Sequence, residues 1–387
     1  MRRVKTATQC VHLEDSGDPY GAISPPIYQT ATFRQPSVSE FGDYDYTRSG
    51  NPTRRLLEQQ LAKLERGEHA CAFASGMAAL TALTRLLEVG DEIVAGNDLY
   101  GGTVRLLDQV LSRAGICVNY ADTTDLDAVR ANLTERTKLV LTETPSNPLL
   151  RICDIKALAE LAHSAGAILA VDNSMLSPCF QQPLALGADV VIHSATKFLC
   201  GHSDVTAGAL VTNDAELNRR LGFQQNAEGA GLGPFDSWLL LRGMKTLCLR
   251  AAQQNATAQA IAQFLLQHEA VQKIYYPGLA THENYEVHRR QASGNGAVIS
   301  FTTGDLSLSE RFVSAICLFD LAVSFGSVNS VISLPSRMSH ASIPDSLKET
   351  LAPPPDLVRL SIGIEDAEDL LNDLTQAFDL AMLSRAL

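Results

Sequence analysis

Residues 187–203 read GADVVIHSATKFLCGHS, and this stretch decides the fold. The apolar run Val190–His193 predicts a buried strand, and Lys197 follows it among small hydroxyl-bearing residues. A lysine at the end of a buried strand has to desolvate its ammonium group. Desolvation lowers the pKa of a lysine and makes its amine a better nucleophile toward carbonyl groups. The alternative is a surface lysine at a strand end, with solvent-facing hydroxyls beside it.

Short apolar runs of the same kind occur on both sides of this strand along the chain. They predict five further strands: Glu92–Ala95, Cys117–Tyr120, Leu139–Thr142, Ile168–Val171 and Ala209–Val211. Helix-like segments lie between most of them: Thr103–Arg113, Leu126–Asn132 and Ile155–Ala165. Strands that lack polar alternation and are separated by helices predict a mostly parallel sheet covered on both faces. The fold class is therefore α/β.

The character of the sequence changes twice, which divides the chain into three parts. Residues 1–52 are rich in Pro, Gly, Ser and aromatic residues and predict an extended N-terminal arm that reaches a neighbouring subunit. Residues 53–248 form the predicted large domain, which holds the parallel sheet. Residues 249–387 include the helix-like segments Gln253–His268 and Ala367–Leu383, and they predict a smaller α+β C-terminal domain.

Composition excludes several classes of protein. The chain has 387 residues, 45% of them hydrophobic, and a net charge of −12, which argues against disorder, nucleic-acid binding and an anionic membrane surface. The first residues lack the apolar run of a secretory signal, so we expect a cytoplasmic protein. The 8 cysteines show no CxxC pair and no zinc spacing, so we expect free, mostly buried thiols and no metal.

A second candidate site residue lies upstream of Lys197. Asp172 follows the predicted strand Ile168–Val171 directly, and carboxylates at the carboxyl ends of parallel strands face the site of such sheets. An aspartate that pairs with a protonated ring nitrogen and a lysine that forms a Schiff base are the combination expected for pyridoxal 5′-phosphate (PLP). The alternative is an aspartate that caps the next helix.

Three further loops carry residues suited to such a cofactor. Ser75 and Gly76 precede an Ala- and Leu-rich helix, whose free N–H groups can bind a phosphate. Tyr100, in the glycine-rich loop NDLYGGT, could stack on a flat ring. Asn147, in ETPSNP, could donate to a ring hydroxyl. An ordinary helix start and an Asn-Pro turn are the alternatives for the first and last of these.

Two arginines suggest anion binding. Tyr46 and Arg48 lie two residues apart in the arm and so share a face, and together they suit a phosphate. Arg359 lies in an apolar strand, where a buried guanidinium needs an anionic partner such as a substrate carboxylate. An exposed surface pair and a structural salt bridge are the respective alternatives.

Taken together, these motifs resemble the Cys/Met-metabolism family of PLP-dependent enzymes. The likeness extends from SPPIYQTATF at residues 24–33 to VRLSIGIEDAEDL at residues 358–370. It implies a fold type I PLP-dependent transferase that assembles as a homotetramer of two catalytic dimers. A nucleotide-binding α/β protein would need GxGxxG after its first strand or GxxxxGK[ST], and the sequence has neither. Intact Lys197 and Asp172 argue against a catalytically inactive member.

The resemblance also implies a role for each candidate. Lys197 would be the Schiff-base lysine, with Tyr100 as a second catalytic residue that also stacks on the ring, and Asp172 would hold the pyridine nitrogen. The implied phosphate ligands are the backbone of Gly76 and Met77, the side chains of Ser194 and Thr196, and Tyr46 and Arg48 from the adjacent subunit. Arg359 would bind the substrate carboxylate, helped by Asn147, which also contacts the cofactor, and by Ser324.

Within the family, the likeness is greatest to plant-type cystathionine β-lyases. The segments AEGAGLGPFDSWLLLRG, residues 227–243, and AVSFGSVNSVISLPSRMSHASIP, residues 322–344, carry it. We therefore expect α,β-elimination of L-cystathionine to homocysteine, pyruvate and ammonia. Cystathionine γ-lyase and cystathionine γ-synthase are the alternatives, because the family shares one catalytic set. Two departures are Asn329, where many members have Glu and the plant β-lyases have Lys, and Gly102, where methionine γ-lyases have Cys.

Overall fold

A computed structural model describes residues 4–13, 18–341, 343–344 and 347–383; Ser342, in the segment 322–344, lies outside them. These residues form two β-sheets of seven and five strands. The first contains β1 (His69–Phe73), β2 (Glu92–Gly96), β3 (Cys117–Ala121), β4 (Thr137–Glu143), β5 (Ile168–Asp172), β6 (Val190–His193) and β7 (Gly208–Thr212). The second contains β8 (Lys273–Tyr275), β9 (Val298–Thr302), β10 (Asp320–Leu321), β11 (Val331–Ser333) and β12 (Val358–Ser361).

The seven-stranded sheet confirms the predicted α/β class. Its order is β1-β7-β6-β5-β4-β2-β3, and among the described strands of this sheet only β7 runs opposite to the other six. Every strand predicted from an apolar run is present, within two residues at each end. The sequence did not predict β1, because HACAF is short and has a single residue, Phe73, with a strong preference for strands.

Fourteen helices occur in the described residues. They are α1 (Thr6–Val11), α2 (Pro52–Glu65), α3 (Gly76–Thr84), α4 (Gly101–Arg105), α5 (Leu126–Asn132), α6 (Ile155–Ser164), α7 (Ser177–Phe180), α8 (Ala215–Glu228), α9 (Pro234–Met244), α10 (Leu247–Gln267), α11 (Tyr285–Gln291), α12 (Leu306–Ala315), α13 (Lys348–Leu351) and α14 (Ala367–Leu383). None of these is long and apolar enough to cross a membrane.

Two helical predictions differ from the structure. The segment predicted as one helix over Thr103–Arg113 is α4 followed by a π-helical turn, Leu106–Leu111, and a 3₁₀ turn. The arm is not extended throughout, because α1 folds within it and buries Cys10, which is 1% exposed. Burial of this apolar thiol against the main core favours a helix where the local sequence shows little periodicity.

Helix α10 joins the two sheets. It begins before the predicted helix start and crosses the predicted domain boundary at residues 248/249. Arg250 donates to the carbonyl oxygen of Phe198, at 2.8 Å, in the turn after β6. One helical turn later, Gln254 donates to the carbonyl oxygens of Ser327, at 2.8 Å, and of Ile362, at 2.9 Å, next to the second sheet. One face of α10 therefore fixes loops from both sheets.

The core beside the second sheet contains three phenylalanines in mutual contact, one pair stacked and one edge-to-face. Phe312 of α12 is fully buried, with its ring centroid 4.1 Å from that of Phe378 of α14 and 5.7 Å from that of Phe301 of β9. This cluster joins α12 and α14 to the sheet that carries Arg359.

We predict that Phe312→Ala lowers the free energy of unfolding by about 3–5 kcal/mol, because it removes a buried ring and leaves a cavity. Phe312→Leu is the matched control and should cost distinctly less, because it retains most of the apolar volume. Urea denaturation followed by far-UV circular dichroism measures both. Equal stability of the alanine variant and the wild type would show that this cluster does not support the fold.

Candidate active site

A cavity of about 470 Å³ lies at the carboxyl ends of β4, β5 and β6. Its lining contains every site residue predicted from the sequence except Tyr46 and Arg48: Gly76, Met77, Tyr100, Asn147, Asp172, Ser194, Thr196, Lys197, Ser324 and Arg359. Parallel strands bring their carboxyl ends to one edge, which is why residues far apart in the sequence meet here. The second sheet contributes the last two residues through β12 and the loop before β11.

Lys197 lies in a tight turn directly after β6. The turn is held by hydrogen bonds from Lys197 N to Ser194 O, 3.0 Å, and from Gly201 N to Lys197 O, 2.8 Å. The ammonium Nζ donates to the Ser324 hydroxyl at 2.5 Å and lies 5.1 Å from the ring centroid of Phe325. Burial, and then the positive charge of Arg359, lower the pKa of Lys197 to about 8. The alternative of an ordinary surface lysine does not fit this placement.

Two carboxylates, of which Glu143 is buried and Asp172 partly buried, lie beside the lysine. Asp172 ends β5 and Glu143 ends β4, and the two residues are register partners in the sheet. Asp172 Oδ1 accepts from the backbone N–H of Ser174 at 2.8 Å, and burial raises the pKa of Asp172. Burial, followed by the charge of Asp172, raises the pKa of Glu143 well above its usual value. The edge of the sheet thus brings together two carboxyl groups whose ionised forms a nearby cation or protonated ring nitrogen would stabilise.

Arg359 is 2% exposed, and neither of its hydrogen-bond partners is a carboxylate. Nη1 donates to Asn147 Oδ1 at 2.7 Å and Nη2 donates to Ser324 O at 2.7 Å, whereas Nε is buried without a partner. Burial lowers the pKa of Arg359 to about 10. A buried guanidinium with an unused N–H, facing a cavity, fits an incoming carboxylate better than the structural salt bridge considered above.

The start of α3 forms a cradle of the kind that holds a phosphate. Ser75 caps the helix through Oγ, which accepts from Ala78 N at 3.0 Å, and the first N–H groups of a helix have no intrahelical partner. A Cβ on Gly76 would lie 3.0 Å from Ser194 Cα, so glycine permits this close approach. Thr196 Oγ1 accepts from Ala207 N at 2.9 Å, which fixes its hydroxyl at the same end of the cavity.

Tyr100 lies at the rim of the cavity, where α4 begins. It is 41% exposed, and its backbone N–H donates to Glu143 Oε2 at 3.3 Å. A Cβ on Gly102 would lie 2.4 Å from Tyr100 Cε1. Any other residue at position 102 would therefore displace the tyrosine ring, which gives the glycine noted in the sequence a physical role.

Tyr46 and Arg48 lie outside this cavity. Arg48 Nε donates to Asn226 Oδ1 at 3.1 Å, and its guanidinium lies 5.3 Å from the ring centroid of Tyr46. Both residues are exposed and line a separate surface pocket. The arm therefore does not place Tyr46 and Arg48 in the active-site cavity of its own chain.

Sequence reasoning missed Glu143 and Phe325. Glu143 begins the quoted ETPSNP segment at a predicted strand end, so its position alone could have identified it. Phe325 lies next to Ser324, and its ring centroid is 5.1 Å from the Lys197 ammonium and 5.5 Å from the Arg359 guanidinium. Sequence periodicity could not identify Phe325, because its position in the site depends on Lys197 and Arg359, which come from different sheets.

A family model described as Cys/Met metabolism PLP-dependent enzyme matches residues 7–379. The chain belongs to this family. It is 52% identical over 372 residues to the chloroplastic cystathionine beta-lyase of Arabidopsis thaliana, covering 96% of this chain and 80% of that protein. It is 50% identical over 378 residues to the cystathionine beta-lyase of Neurospora crassa, and the match covers 97% of this chain and 82% of that protein.

A solved structure shows the same fold. The cystathionine gamma-lyase from Lactobacillus plantarum, complexed with L-serine, superposes with a TM-score of 0.95 at 43% sequence identity. The match covers 98% of this chain and 100% of that chain. The predicted fold type I architecture and the predicted PLP cofactor are thereby confirmed.

The donors around the cavity fit PLP. The cofactor has an aldehyde, a pyridine nitrogen and a phosphate, and the cavity offers an amine, a buried carboxylate and a helix N-terminus flanked by hydroxyls. Arg359, whose Nε has no partner, lines the same cavity and could bind a carboxylate.

We predict that Arg359→Met raises the pKa of Lys197, because the neighbouring positive charge that disfavours the ammonium is removed. In PLP-free protein, the pH midpoint for modification of Lys197 by trinitrobenzenesulfonate, followed by peptide mapping, should move to higher pH. Arg242→Met, an exposed arginine on α9, is the control and should leave the midpoint unchanged. An unchanged midpoint in Arg359→Met would contradict the electrostatic coupling.

Proposed function

We propose that this protein is a carbon–sulfur lyase that cleaves L-cystathionine by α,β-elimination to homocysteine, pyruvate and ammonia. One observation carries the proposal: Ser324 bonds both the Lys197 ammonium, through its hydroxyl, and the Arg359 guanidinium, through its carbonyl. An amino acid whose carboxylate binds Arg359 would therefore present its Cα near the lysine amine. The relatives that carry the β-lyase name support the choice of substrate.

PLP, when bound, withdraws electrons from the substrate and so makes the proton on its Cα acidic. Asp172 would hold the pyridine nitrogen, and the ring of Tyr100 would stack on the cofactor. The backbone N–H groups of Gly76 and Met77, with the hydroxyls of Ser194 and Thr196, would hold the phosphate, and Asn147 would contact the ring hydroxyl.

Lys197 would carry the proton that the elimination requires. Its amine Nζ would remove the proton from Cα and return it to the departing sulfur, and Tyr100 is the alternative base for the first step. With a pKa of about 8, a fraction of the Lys197 amine is neutral near physiological pH. This suits a group that acts first as a base and then as an acid. The Phe325 ring, with its centroid 5.1 Å from Nζ, would stabilise the ammonium form of the lysine.

Cystathionine γ-lyase is the second candidate. The solved γ-lyase superposes on nearly the whole chain, and the same lysine would serve γ-elimination by removing a further proton from Cβ. Cystathionine γ-synthase would use the same residues. The catalytic set is common to all three activities, so the products decide among them.

We expect the purified enzyme, given L-cystathionine and PLP, to release pyruvate with homocysteine. Lys197→Ala should lower kcat by a factor on the order of 10²–10⁴ or more, as for loss of a general acid–base group, while Lys156→Ala, an exposed lysine on α6, should keep wild-type rates. Coupled pyruvate assays and thiol chromatography measure the products. Release of 2-oxobutyrate with cysteine would instead establish γ-lyase chemistry.

We further propose that Tyr46 and Arg48 complete the phosphate site of a neighbouring subunit, within a homotetramer of two catalytic dimers. Both are exposed and lie outside the cavity of their own chain, although their phenol and guanidinium suit a phosphate. This arrangement makes the catalytic dimer the smallest active unit.

Mixing inactive chains tests this arrangement. Lys197→Ala and Arg48→Ala chains, denatured and refolded together, should regain roughly a quarter of wild-type activity, because half of the dimers are hybrids and each hybrid has one intact site. Lys197→Ala mixed with Asp172→Asn is the control and should stay inactive, since both residues belong to one chain's site. Failure of the first mixture to exceed the control would show that Arg48 acts within its own subunit.

We propose the cytoplasm as the working compartment. The eight cysteines are all free thiols, as expected for a reducing environment. Three of the relatives are named as chloroplastic, so fractionation of the native cells with an antibody to the chain is the direct test.

A further inference from the structure

Three cysteines from distant parts of the sequence meet at one point, away from the active-site cavity. Cys10 of α1, Cys179 of α7 and Cys248 of α10 place their sulfur atoms within 4.8 Å of one another. Cys10 is 1% exposed, whereas the other two are half-buried, so the point lies close to the surface. No other group of three metal-binding side chains occurs in the part of the chain that the structure describes.

One of the three sulfur–sulfur distances matches that of a metal centre, and the other two are at most 4.8 Å. A tetrahedral centre with metal–sulfur bonds of about 2.3 Å, as for zinc, separates its sulfurs by about 3.8 Å. The Cys10 and Cys248 sulfurs are 3.7 Å apart although the residues are separated by 238 positions in the sequence. A disulfide would use two of the three thiols, whereas a metal ion accounts for the convergence of all three.

The charge of the surroundings favours a thiolate cluster. Arg250 is 4% exposed and lies two residues from Cys248 on α10. It donates to four backbone carbonyls and to the Thr246 hydroxyl, so its positive charge has no carboxylate partner among the described residues. Buried charges in proteins are normally paired. Three thiolates and one divalent ion carry a net charge of −1, which Arg250 would balance.

We propose that Cys10, Cys179 and Cys248 form a zinc site with three thiolate ligands and water in the fourth position. Three protein ligands with one open position are an established zinc arrangement, and thiolates select soft ions over magnesium or calcium. A monovalent soft ion such as Cu(I) would leave a charge of −2, which Arg250 neutralises only in part. The spacing of cysteines in the sequence did not predict this site, because each ligand comes from a different helix.

Zinc at this point would fasten the arm to the rest of the chain. Helix α1 is otherwise held by few polar contacts, such as the bond from Gln60 Nε2 to Gln9 O at 2.6 Å. The metal would connect α1 directly to α7 and α10.

The first experiment uses the wild-type holoenzyme. After reduction and removal of metal with a chelator, it is dialysed against Zn²⁺, freed of excess ion by gel filtration, and measured by elemental mass spectrometry. We expect one zinc per chain, and three fewer thiols that react with dithionitrobenzoate than in the metal-free protein. Co²⁺ in place of Zn²⁺ should give the cobalt–thiolate charge-transfer absorption of a tetrahedral site.

The second experiment uses matched variants. Cys10→Ala, Cys179→Ala and Cys248→Ala should each abolish stoichiometric binding, whereas Cys117→Ala and Cys317→Ala, at exposed positions outside the cluster, should retain it. The visible absorption of bound PLP and the melting temperature report whether each variant folds. If a variant does not fold, the zinc content of the wild type still tests the proposal.

Three outcomes would overturn the proposal. The first is a zinc content of the wild type below about one tenth of an equivalent per chain, which is the level of trace metal. The second is binding that survives all three cluster substitutions. A Cys10–Cys248 disulfide that atmospheric oxygen forms again during dialysis, even with Zn²⁺ present, would replace the metal site with a redox pair.

Discussion

The site depends on two cations, the partly buried Lys197 and the buried Arg359, that share one serine. Lys197 and Arg359 come from different sheets, and each bonds to Ser324, one to its hydroxyl and the other to its carbonyl. Burial lowers the pKa of both groups, and the positive charge of Arg359 lowers that of Lys197 further. The carboxylates of Asp172 and Glu143 at the sheet edge offset part of this decrease. The fold holds these four charges together, and the chemistry that we propose uses the resulting reactive amine.

Much of this arrangement could be predicted from the sequence. Lys197, Asp172 and Arg359 stand at or within apolar strands, where a charged residue is conspicuous, and parallel strands bring such residues to one edge. Glu143 follows the same rule, because it comes directly after the predicted strand Leu139–Thr142. Phe325 could not be predicted in this way, because an aromatic residue in an irregular loop carries no positional pattern.

Other features depend on contacts that no local pattern encodes. The meeting of Cys10, Cys179 and Cys248 requires three helices to pack together, and their spacing in the sequence resembles no metal motif. The helix in the arm forms because the core buries one face of it, although the surrounding sequence is irregular. The irregular helix after Tyr100 likewise departs from the uniform helix that its periodicity predicts.

Helix α10 has a consequence for how this enzyme can be dissected. Arg250 hydrogen-bonds the loop that carries Lys197. Gln254, four residues later, hydrogen-bonds the segment after Ser324 and the segment after strand β12, which carries Arg359. Residues four apart lie on one face of a helix, so a single turn sets the distance between the two halves of the site. The sheets are therefore not modules that can be exchanged between related enzymes at a linker. A chimera preserves the geometry of the active site only if the loops next to both sheets form their hydrogen bonds with the same helix α10.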